Sequence, residues 1–262
     1  VLYPAYVMLR SLAKNHASGQ LCVYVLHSVL NEEDCCFLRD ALLRGREDNQ
    51  MIFLRIDPIK TAGLPYNHLW STEMYYRLML PELLGKSIDR ILYLDIDMIV
   101  NKNVTEFYST DFDDCLLIAA RDMEFDTILG MDEPDSRLRN AFFKELVENG
   151  MTYFCSGVLL MNLSGLRERY SFEKYIEIFH SIADKVILPD QDLLNYVHNG
   201  QVKYVDECQY GLFAQTAHKM GMTYDDVSRN VSILHFTGQA KPWTTNLVLC
   251  KMAFHRLIKY SF

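Results

Sequence analysis

Two aspartates, Asp95 and Asp97, stand one residue apart near the end of the apolar run RILYLDIDMIV, residues 90–100. An unpaired buried carboxylate is costly, so each needs water, a hydrogen-bond donor or a cation. Because strand side chains alternate between two faces, residues two positions apart point the same way. We therefore expect converging oxygens that suit a hard divalent cation, Mg²⁺ or Mn²⁺. Solvated aspartates that end a strand or cap a helix are the alternative interpretation.

A histidine and a lysine lie close together in the segment HFTGQAKPW, residues 235–243. His235 ends a predicted strand, Gly238 permits a tight backbone turn, and Lys241 brings an ammonium group to the same loop. An imidazole together with two carboxylates is a suitable ligand set for Mn²⁺ and leaves positions open for ligand oxygens. Taken singly, His235 is more often a structural histidine, and Lys241 a solvated surface charge.

Two further segments, LPDQDLLN (188–195) and YFCSGVLLMNL (153–163), place polar residues at the start of a helix or strand. Asp190 precedes a predicted short helix, where it is a good N-cap. Gly157 lets a backbone or a ligand approach closely just before a strand. Each also has a purely structural interpretation: a helix cap in the first case, and a turn into a core strand in the second.

An Asp-x-Asp pair after an apolar strand is also expected in phosphatases of the haloacid dehalogenase type. There a small or hydroxylated residue should follow two places beyond the second aspartate, where this chain has Ile99. The pair also lies in the middle of the chain rather than near its start. We therefore keep the phosphatase only as a subordinate alternative.

The segments around these residues predict alternating strands and helices. The predicted strands are the apolar or β-branched runs 21–26, 51–56, 90–100, 115–120, 157–163, 201–205 and 231–236. The predicted helices are 5–15, a helix capped by Asn31, 71–84, 136–149, 171–185, 191–199 and the C-terminal tail. Several strands are apolar on both faces, which predicts an α/β fold with a mostly parallel, helix-covered sheet. Ligands of such sheets gather at the carboxyl ends of strands, where the two aspartates lie.

Composition narrows the class of protein. Half of the residues are hydrophobic and 23% are charged, as in ordinary globular proteins, and 262 residues suffice for one large domain. The formal net charge of −8 argues against nucleic acid as a partner. No apolar run reaches the ~18 residues of a membrane span. The seven cysteines form no CxxC pair, so we expect a cytoplasmic protein with reduced thiols.

Taken together, the motifs resemble those of glycosyltransferase family 8, a retaining group that includes bacterial lipooligosaccharide galactosyltransferases, glycogenin and galactinol synthase. The similarity covers nearly the whole chain and lies in six motifs in the same order: YPAYVMLRSL, EMYYRL, YLDID, YFCSGVLLMNL, LPDQDLLN and HFTGQAKPW. The DID triplet and the HxxGxxKPW ending are most similar to bacterial enzymes of lipopolysaccharide biosynthesis. The resemblance implies the family's GT-A fold.

The resemblance also implies an activity. The protein is expected to move galactose or glucose from a UDP-sugar to a saccharide or glycolipid acceptor, with Mn²⁺, or alternatively Mg²⁺, as cofactor. It is expected to form one domain, residues 1–262. The implied nucleotide-binding half is 1–121, and the implied sugar- and acceptor-binding half is 122–262.

The same resemblance implies roles for individual residues. The metal ligands would be Asp95, Asp97 and His235, and the basic residues against the diphosphate would be Arg77 and Lys241. The implied catalytic residues are Gln191, beneath the anomeric carbon, and Asp190, which would hold sugar hydroxyls. We favour front-face substitution, because an amide is a weak nucleophile. The other donor-binding positions that the resemblance implies are Ile96, Asp122, Cys155, Ser156, Gly157 and Gly238.

The chain departs from the family pattern at two places. Cys155 stands where the family usually has Asn, and a thiol lacks the paired donor and acceptor of an amide. The first strand and the acidic segment after it, which enclose uracil and ribose in relatives, have no counterpart in these 262 residues. We expect either that these residues are part of a longer chain, which is the simpler explanation, or that the sheet lacks one strand. A non-catalytic nucleotide-sugar-binding protein is therefore the second hypothesis. Acceptor, linkage and oligomeric state have no readable signature, and peripheral membrane contact stays open.

Overall fold

Strands and helices alternate along the chain, as the computed structural model shows for residues 2–16, 19–65, 71–130, 137–238 and 241–243. The strands are β1 (Cys22–His27), β2 (Gln50–Arg55), β3 (Arg90–Leu94), β4 (Met98–Val100), β5 (Leu117–Arg121), β6 (Phe154–Asn162), β7 (Val202–Val205), β8 (Tyr210–Phe213) and β9 (Ile233–His235). The α-helices are α1 (Leu2–Asn15), α2 (Glu32–Leu43), α3 (Leu80–Leu83), α4 (Thr105–Tyr108), α5 (Phe125–Leu129), α6 (Arg137–Glu148), α7 (Leu163–Arg169), α8 (Phe172–Ile182), α9 (Pro189–Val197), α10 (Ala214–Lys219) and α11 (Tyr224–Asn230). This alternation confirms the α/β class.

The described strands form three sheets, with the orders β1–β2, β3–β6–β5–β7 and β4–β9–β8. The pairs β1–β2, β5–β7 and β8–β9 are parallel, whereas β3–β6, β5–β6 and β4–β9 are antiparallel. The prediction of a mostly parallel sheet therefore holds for only three of the six described strand pairs. It was drawn from apolar residues on both faces, and helices that cover both faces bury antiparallel strands equally well.

The four-stranded sheet separates two cores. Along β6, Leu159 and Met161 face one core while Val158 and Leu160 face the other, as strand alternation requires. The first core contains the apolar face of α8, and the second contains α1 and part of α2. Helices on both faces thus explain why β6 is buried from Phe154 to Met161.

The run RILYLDIDMIV forms two strands in different sheets rather than one strand. Strand β3 ends at Leu94, and β4 begins at Met98 beside β9. The backbone N–H of Asp95 still donates to Gly157 O of β6 at 2.9 Å, while Asp97 O accepts from Phe236 N at 2.9 Å. The aspartates therefore occupy the crossing from one sheet to the next. Their convergence results from this bend, not from strand alternation.

Most other sequence predictions correspond to observed elements. Asn31 caps α2 in a capping box with Asp34, which satisfies two backbone donors at the helix start. The predicted helix 71–84 is a 3-10 helix, Thr72–Met79, followed by α3, which starts near Pro81 because proline is tolerated only in a first turn. Strand β8 and helices α4, α5, α7, α10 and α11 were not predicted. The C-terminal tail lies outside the described residues.

None of the helices in the described part of the chain combines the length and the apolar character that crossing a bilayer requires.

Candidate active site

Three side chains from distant parts of the chain converge where two sheets meet. Asp95 and Asp97 lie between β3 and β4, and His235 is the last residue of β9, the antiparallel partner of β4. One potential ligand atom from each side chain lies within 4.8 Å of the others. His235 Nε2 is 3.1 Å from Asp97 Oδ1 and 3.9 Å from Asp95 Oδ2. Two carboxylates and an imidazole make a donor set that fits a divalent cation such as Mn²⁺.

Gly157 provides the space in which these side chains meet. A Cβ atom at this position would lie 2.5 Å from His235 Cε1, 2.8 Å from Asp95 Oδ2 and 2.9 Å from Met98 Cε. Such distances are shorter than any van der Waals contact in a packed interior. Any other residue would therefore displace the imidazole or the carboxylate.

The acidic and basic side chains of the cluster stabilise each other's charged forms. Burial opposes protonation of His235, but its hydrogen bonds with Asp97 and Cys155 and the charge of Asp97 raise its pKa to about 10. Burial likewise opposes ionisation of Asp97, yet His235 and Lys241 outweigh it and hold the pKa of that carboxyl well below its usual value. Imidazolium and ammonium thus balance the acids in the protein alone, and a bound cation would exchange with the imidazole proton.

The loop after β9 returns a lysine to the cluster. Lys241 Nζ lies 2.5 Å from Asp97 Oδ2 and also donates to the carbonyl of Phe236. Gly238 has a φ of 74°, a left-handed conformation that favours glycine. Ile96, between the two aspartates, is 39% exposed and points no polar group at the cluster.

Arg77 is a buried residue that holds two carboxylates of the site. Its Nη2 donates to Asp95 Oδ1 at 2.9 Å, its Nη1 donates to Ser156 O at 2.6 Å, and its Nε lies 3.2 Å from Asp190 Oδ2. The guanidinium also lies over the ring of Tyr93, 4.4 Å from the centroid. Arg77 thereby links Asp95 to Asp190. Its N–H groups face Asp95, Ser156 and Asp190, so they are occupied by groups of the protein.

A second hydrogen-bonded set surrounds Gln191. Its Oε1 accepts from Ser156 N at 2.9 Å, and its Nε2 donates to Asp122 Oδ2 at 3.0 Å. Ser156 Oγ donates to Asp190 Oδ2 at 3.3 Å. Burial raises the pKa of both Asp122 and Asp190. The predicted donor-binding residues that follow β5 or lie in β6 and α9 therefore form one hydrogen-bonded group.

Cys155 lies behind the imidazole rather than beside the carboxylates. Its Sγ is 3.8 Å from His235 Nδ1, the ring nitrogen opposite the one that faces Asp97. The thiol is buried, and burial raises its pKa. Cys155, which departs from the family pattern, thus contacts the candidate metal ligand His235 through Nδ1. The other ring nitrogen, Nε2, faces Asp95 and Asp97.

Four buried polar residues of the site region were not recognised from the sequence. Asn195 binds β6 to α9, because its side chain accepts from Phe154 N at 2.7 Å and donates to Phe154 O at 2.8 Å. The others, Arg139, Tyr153 and Asp192, form a separate cluster behind Gln191. By its place in the first turn of a predicted helix, Asp192 suggests only a charge that complements the helix dipole, and Arg139 lies in a helix whose sequence is polar.

Gly157→Ala is expected to weaken binding of a divalent cation by about tenfold to a hundredfold, because the new methyl group displaces His235 or Asp95. Titration calorimetry with Mn²⁺ alone measures this effect without any enzymatic assay. Gly165→Ala is the matched control: its Cβ would lie 2.7 Å from Leu116 Cδ2, in α7 and away from the cluster. The control should lower the melting temperature and leave Mn²⁺ affinity unchanged. Equal Mn²⁺ affinity in both variants would contradict the assignment of the cluster.

Known proteins match this chain in both sequence and fold. A lipopolysaccharide 1,2-glucosyltransferase of Escherichia coli K12 is 26% identical over 258 residues, which cover 97% of this chain and 71% of that protein. A lipopolysaccharide 1,3-galactosyltransferase of Salmonella typhimurium is 22% identical over 247 residues, or 92% of this chain and 69% of that protein. The crystal structure of galactosyltransferase LgtC with donor and acceptor sugar analogues matches with a TM-score of 0.78 and 26% identity, covering 99% of this chain and 91% of that one.

The structural match confirms the GT-A fold, and the sequence relatives support a transferase rather than a phosphatase. The sequence pattern of glycosyl transferase family 8 matches residues 2–246, which is most of the chain and includes every motif described above. The chain therefore belongs to glycosyl transferase family 8.

Proposed function

We propose that the protein is a retaining glycosyltransferase that moves galactose or glucose from a UDP-sugar to a saccharide or glycolipid acceptor, with Mn²⁺ as its cofactor and Mg²⁺ as the alternative. The observation that carries the proposal is the convergence of Asp95, Asp97 and His235 within 4.8 Å, with Lys241 beside them. Carboxylate and imidazole donors suit a cation that also binds phosphate oxygens. The names of the glucosyl- and galactosyltransferase relatives support a hexose donor.

The charged residues would divide the work of holding the donor. Asp95, Asp97 and His235 would hold the cation, which supplies electrostatic stabilisation to the negative charge that develops on the departing diphosphate. Lys241 would exchange its contact with Asp97 for a phosphate oxygen, because an ammonium on a flexible stem reorients easily. Arg77 would keep Asp95 oriented and, as the resemblance implies, would bring positive charge to the diphosphate. Local cations of this kind allow a protein of net charge −8 to accept an anionic donor.

The sugar-facing roles fall to the Gln191 set. Ser156 N–H fixes the amide oxygen of Gln191, so an oxygen of known orientation would stabilise positive charge on the anomeric carbon. Asp190 would accept hydrogen bonds from sugar hydroxyls, and Arg77 and Ser156 hold its carboxylate in place. Asp122, which accepts a hydrogen bond from Gln191 Nε2, would also contact the sugar. Front-face substitution follows, because an amide is a weak nucleophile.

Domain organisation and location are further parts of the proposal. Residues 1–121 would bind the nucleotide and 122–262 the sugar and acceptor, with the aspartates from the first half and His235 from the second. Six described cysteines are free thiols, which supports a reducing, cytoplasmic location. Peripheral contact with a membrane would follow from a glycolipid acceptor.

Incubation of the protein with UDP-galactose or UDP-glucose and Mn²⁺ is expected to release UDP, faster when a saccharide acceptor is present. Chelation of the metal should stop the release, and added Mn²⁺ should restore it. A product with the anomeric configuration of the donor, measured by NMR, tests retention. Absence of turnover with both donors, with or without the metal, would contradict the proposal.

A non-catalytic nucleotide-sugar-binding protein is the second candidate, because Cys155 replaces an amide beside the site. It predicts Mn²⁺-dependent binding of UDP by calorimetry, without transfer or hydrolysis. Transfer of sugar to any acceptor by the unaltered protein excludes this candidate.

A further inference from the structure

Arg139 is a buried arginine whose N–H groups donate to other side chains of the protein. It is 2% exposed, and Asp192, its partner, is 0% exposed. Its Nη2 donates to Asp192 Oδ1 at 2.7 Å and its Nε donates to Asp192 Oδ2 at 2.8 Å, a two-pronged contact. Burial of this pair is costly, because two ions leave water, so a well-packed apolar pair would serve stability equally well. The pair therefore calls for an explanation other than stability.

Three aromatic rings enclose the guanidinium, and two of them lie close in sequence to sugar-facing residues. It lies 5.4 Å from the ring centre of Phe125, 5.1 Å from that of Phe143 and 5.6 Å from that of Tyr153. Phe125 begins α5, three residues after Asp122. Tyr153 directly precedes β6, two residues before Cys155, and its carbonyl accepts from Asp122 N at 3.0 Å. Arg139 thus contacts the neighbours of the site rather than the site itself.

Asp192 connects this arginine to the start of α9. Its Oδ2 accepts the backbone N–H groups of Ile187 and Leu188, at 2.8 and 3.0 Å, and so satisfies two donors just before the helix. Its Oδ1 accepts the hydroxyl of Tyr153 at 2.6 Å. Asp190 and Gln191 lie between these anchored positions, so their place depends on Asp192.

We propose that Arg139, Tyr153 and Asp192 form a positioning unit that fixes Asp190 and Gln191 against Ser156 and Asp122. The unit touches neither donor nor cation, and it acts by holding the first turn of α9 in register with the start of β6. Hydrogen bonds between charged groups have defined directions, which apolar packing lacks, so they fix a helix start more sharply. The catalytic consequence, but not the positioning itself, rests on the proposed function.

Two buried tyrosine hydroxyls, one before β6 and one in α8, contact opposite ends of α9 and provide a matched comparison. Tyr153 and Tyr175 are each 2% exposed, and each bonds α9: Tyr153 at Asp192, and Tyr175 at His198 Nε2, 2.7 Å away at the other end. Tyr153→Phe is expected to lower kcat about tenfold while the affinity for Mn²⁺ and UDP stays unchanged, because a small displacement of positioned groups costs this much. Tyr175→Phe should lose similar stability and keep its kcat. Equal effects on kcat would overturn the proposal.

Hydrogen exchange tests the positioning independently of activity. The double variant Arg139→Met/Asp192→Leu removes both charges together, and so avoids leaving one of them buried and unpaired. The amide protons of Ile187 and Leu188 should exchange at least about tenfold faster in it than in the unaltered chain, and the melting temperature should fall, because both amides lose their acceptor. Exchange at the unaltered rate would overturn the proposal.

The two proposals can also fail separately. Should the unaltered protein transfer no sugar, the proposed function fails, and the exchange rates at Ile187 and Leu188 in Tyr153→Phe against Tyr175→Phe still decide the positioning role. Faster exchange in the first variant alone supports the unit, and equal exchange in both overturns it. If the double variant does not fold, the same single-variant comparison decides.

Discussion

Replacement of Asp97 by alanine is expected to abolish metal-dependent transfer while the fold persists. Asp97 faces His235 with one oxygen and Lys241 with the other, so its loss removes one of the three candidate ligands and the partner of both basic groups. A bound cation contributes several kcal/mol to charge stabilisation, and a loss of about 4 kcal/mol lowers kcat/KM about a thousandfold. UDP release at saturating Mn²⁺ measures the loss.

The fold should survive this change because His235 can lose its proton. The hydrogen bond and the charge of Asp97 help to raise the pKa of His235, so without them that pKa falls. A buried imidazole then becomes neutral rather than remaining an unpaired charge. We therefore expect a melting temperature close to that of the unaltered protein and a near-UV circular dichroism spectrum of native shape.

Asp226→Ala is the control for Asp97→Ala. Asp226 is also a half-buried aspartate, and its carboxylate completes the capping box that starts α11, away from the cluster. Its removal should lower the stability slightly, because the backbone N–H of Thr223 loses its acceptor. Turnover and the response to Mn²⁺ should not change. Turnover at the unaltered rate in Asp97→Ala, or an equal loss in both variants, would contradict the assignment of the metal site.

The sequence predicts which residues form the site better than it predicts the strand boundaries and directions that position them. Asp97 and His235 are 138 residues apart, and the family resemblance, rather than any local spacing, predicts that they meet. The bend after β3 could not be predicted, because Met98, Ile99 and Val100 continue the apolar pattern into another sheet. The antiparallel direction of β6 was hidden for a similar reason, since burial on both faces does not depend on direction.

Arg139 shows where sequence reasoning cannot reach. It lies on a polar helix with ordinary charged neighbours, and such a pattern indicates an exposed face. Its partner Asp192 is 53 residues away and itself reads as a charge that complements a helix dipole. Only the tertiary arrangement, in which three aromatic rings enclose the guanidinium, makes the pair buried. No local spacing carries that information.

Gln191→Ala is expected to lower kcat about a hundredfold and to leave the KM for the donor nearly unchanged. The amide orientation follows from its partners: Ser156 N–H can only donate and the Asp122 carboxylate accepts, so Oε1 faces the first and Nε2 the second. A fixed carbonyl dipole acts on charge that appears only as the sugar–phosphate bond breaks, and removal of one such group costs about 10² in kcat. Because the donor carries that charge only in the transition state, binding is largely spared.

Gln201→Ala is the matched control for Gln191→Ala. Gln201 lies beyond the C-terminal end of α9, and its partly buried amide donates to Tyr170 OH and to the carbonyl of Val197. Steady-state kinetics should show kcat and KM unchanged in the control, so that any loss in Gln191→Ala belongs to the site. A raised KM with constant kcat would assign Gln191 to donor binding alone. If neither kcat nor KM changes, Gln191 has no part in the mechanism. The front-face route would then lack a group that stabilises the anomeric carbon. Asp190 could not take that place, because Arg77 and Ser156 already hold its carboxylate.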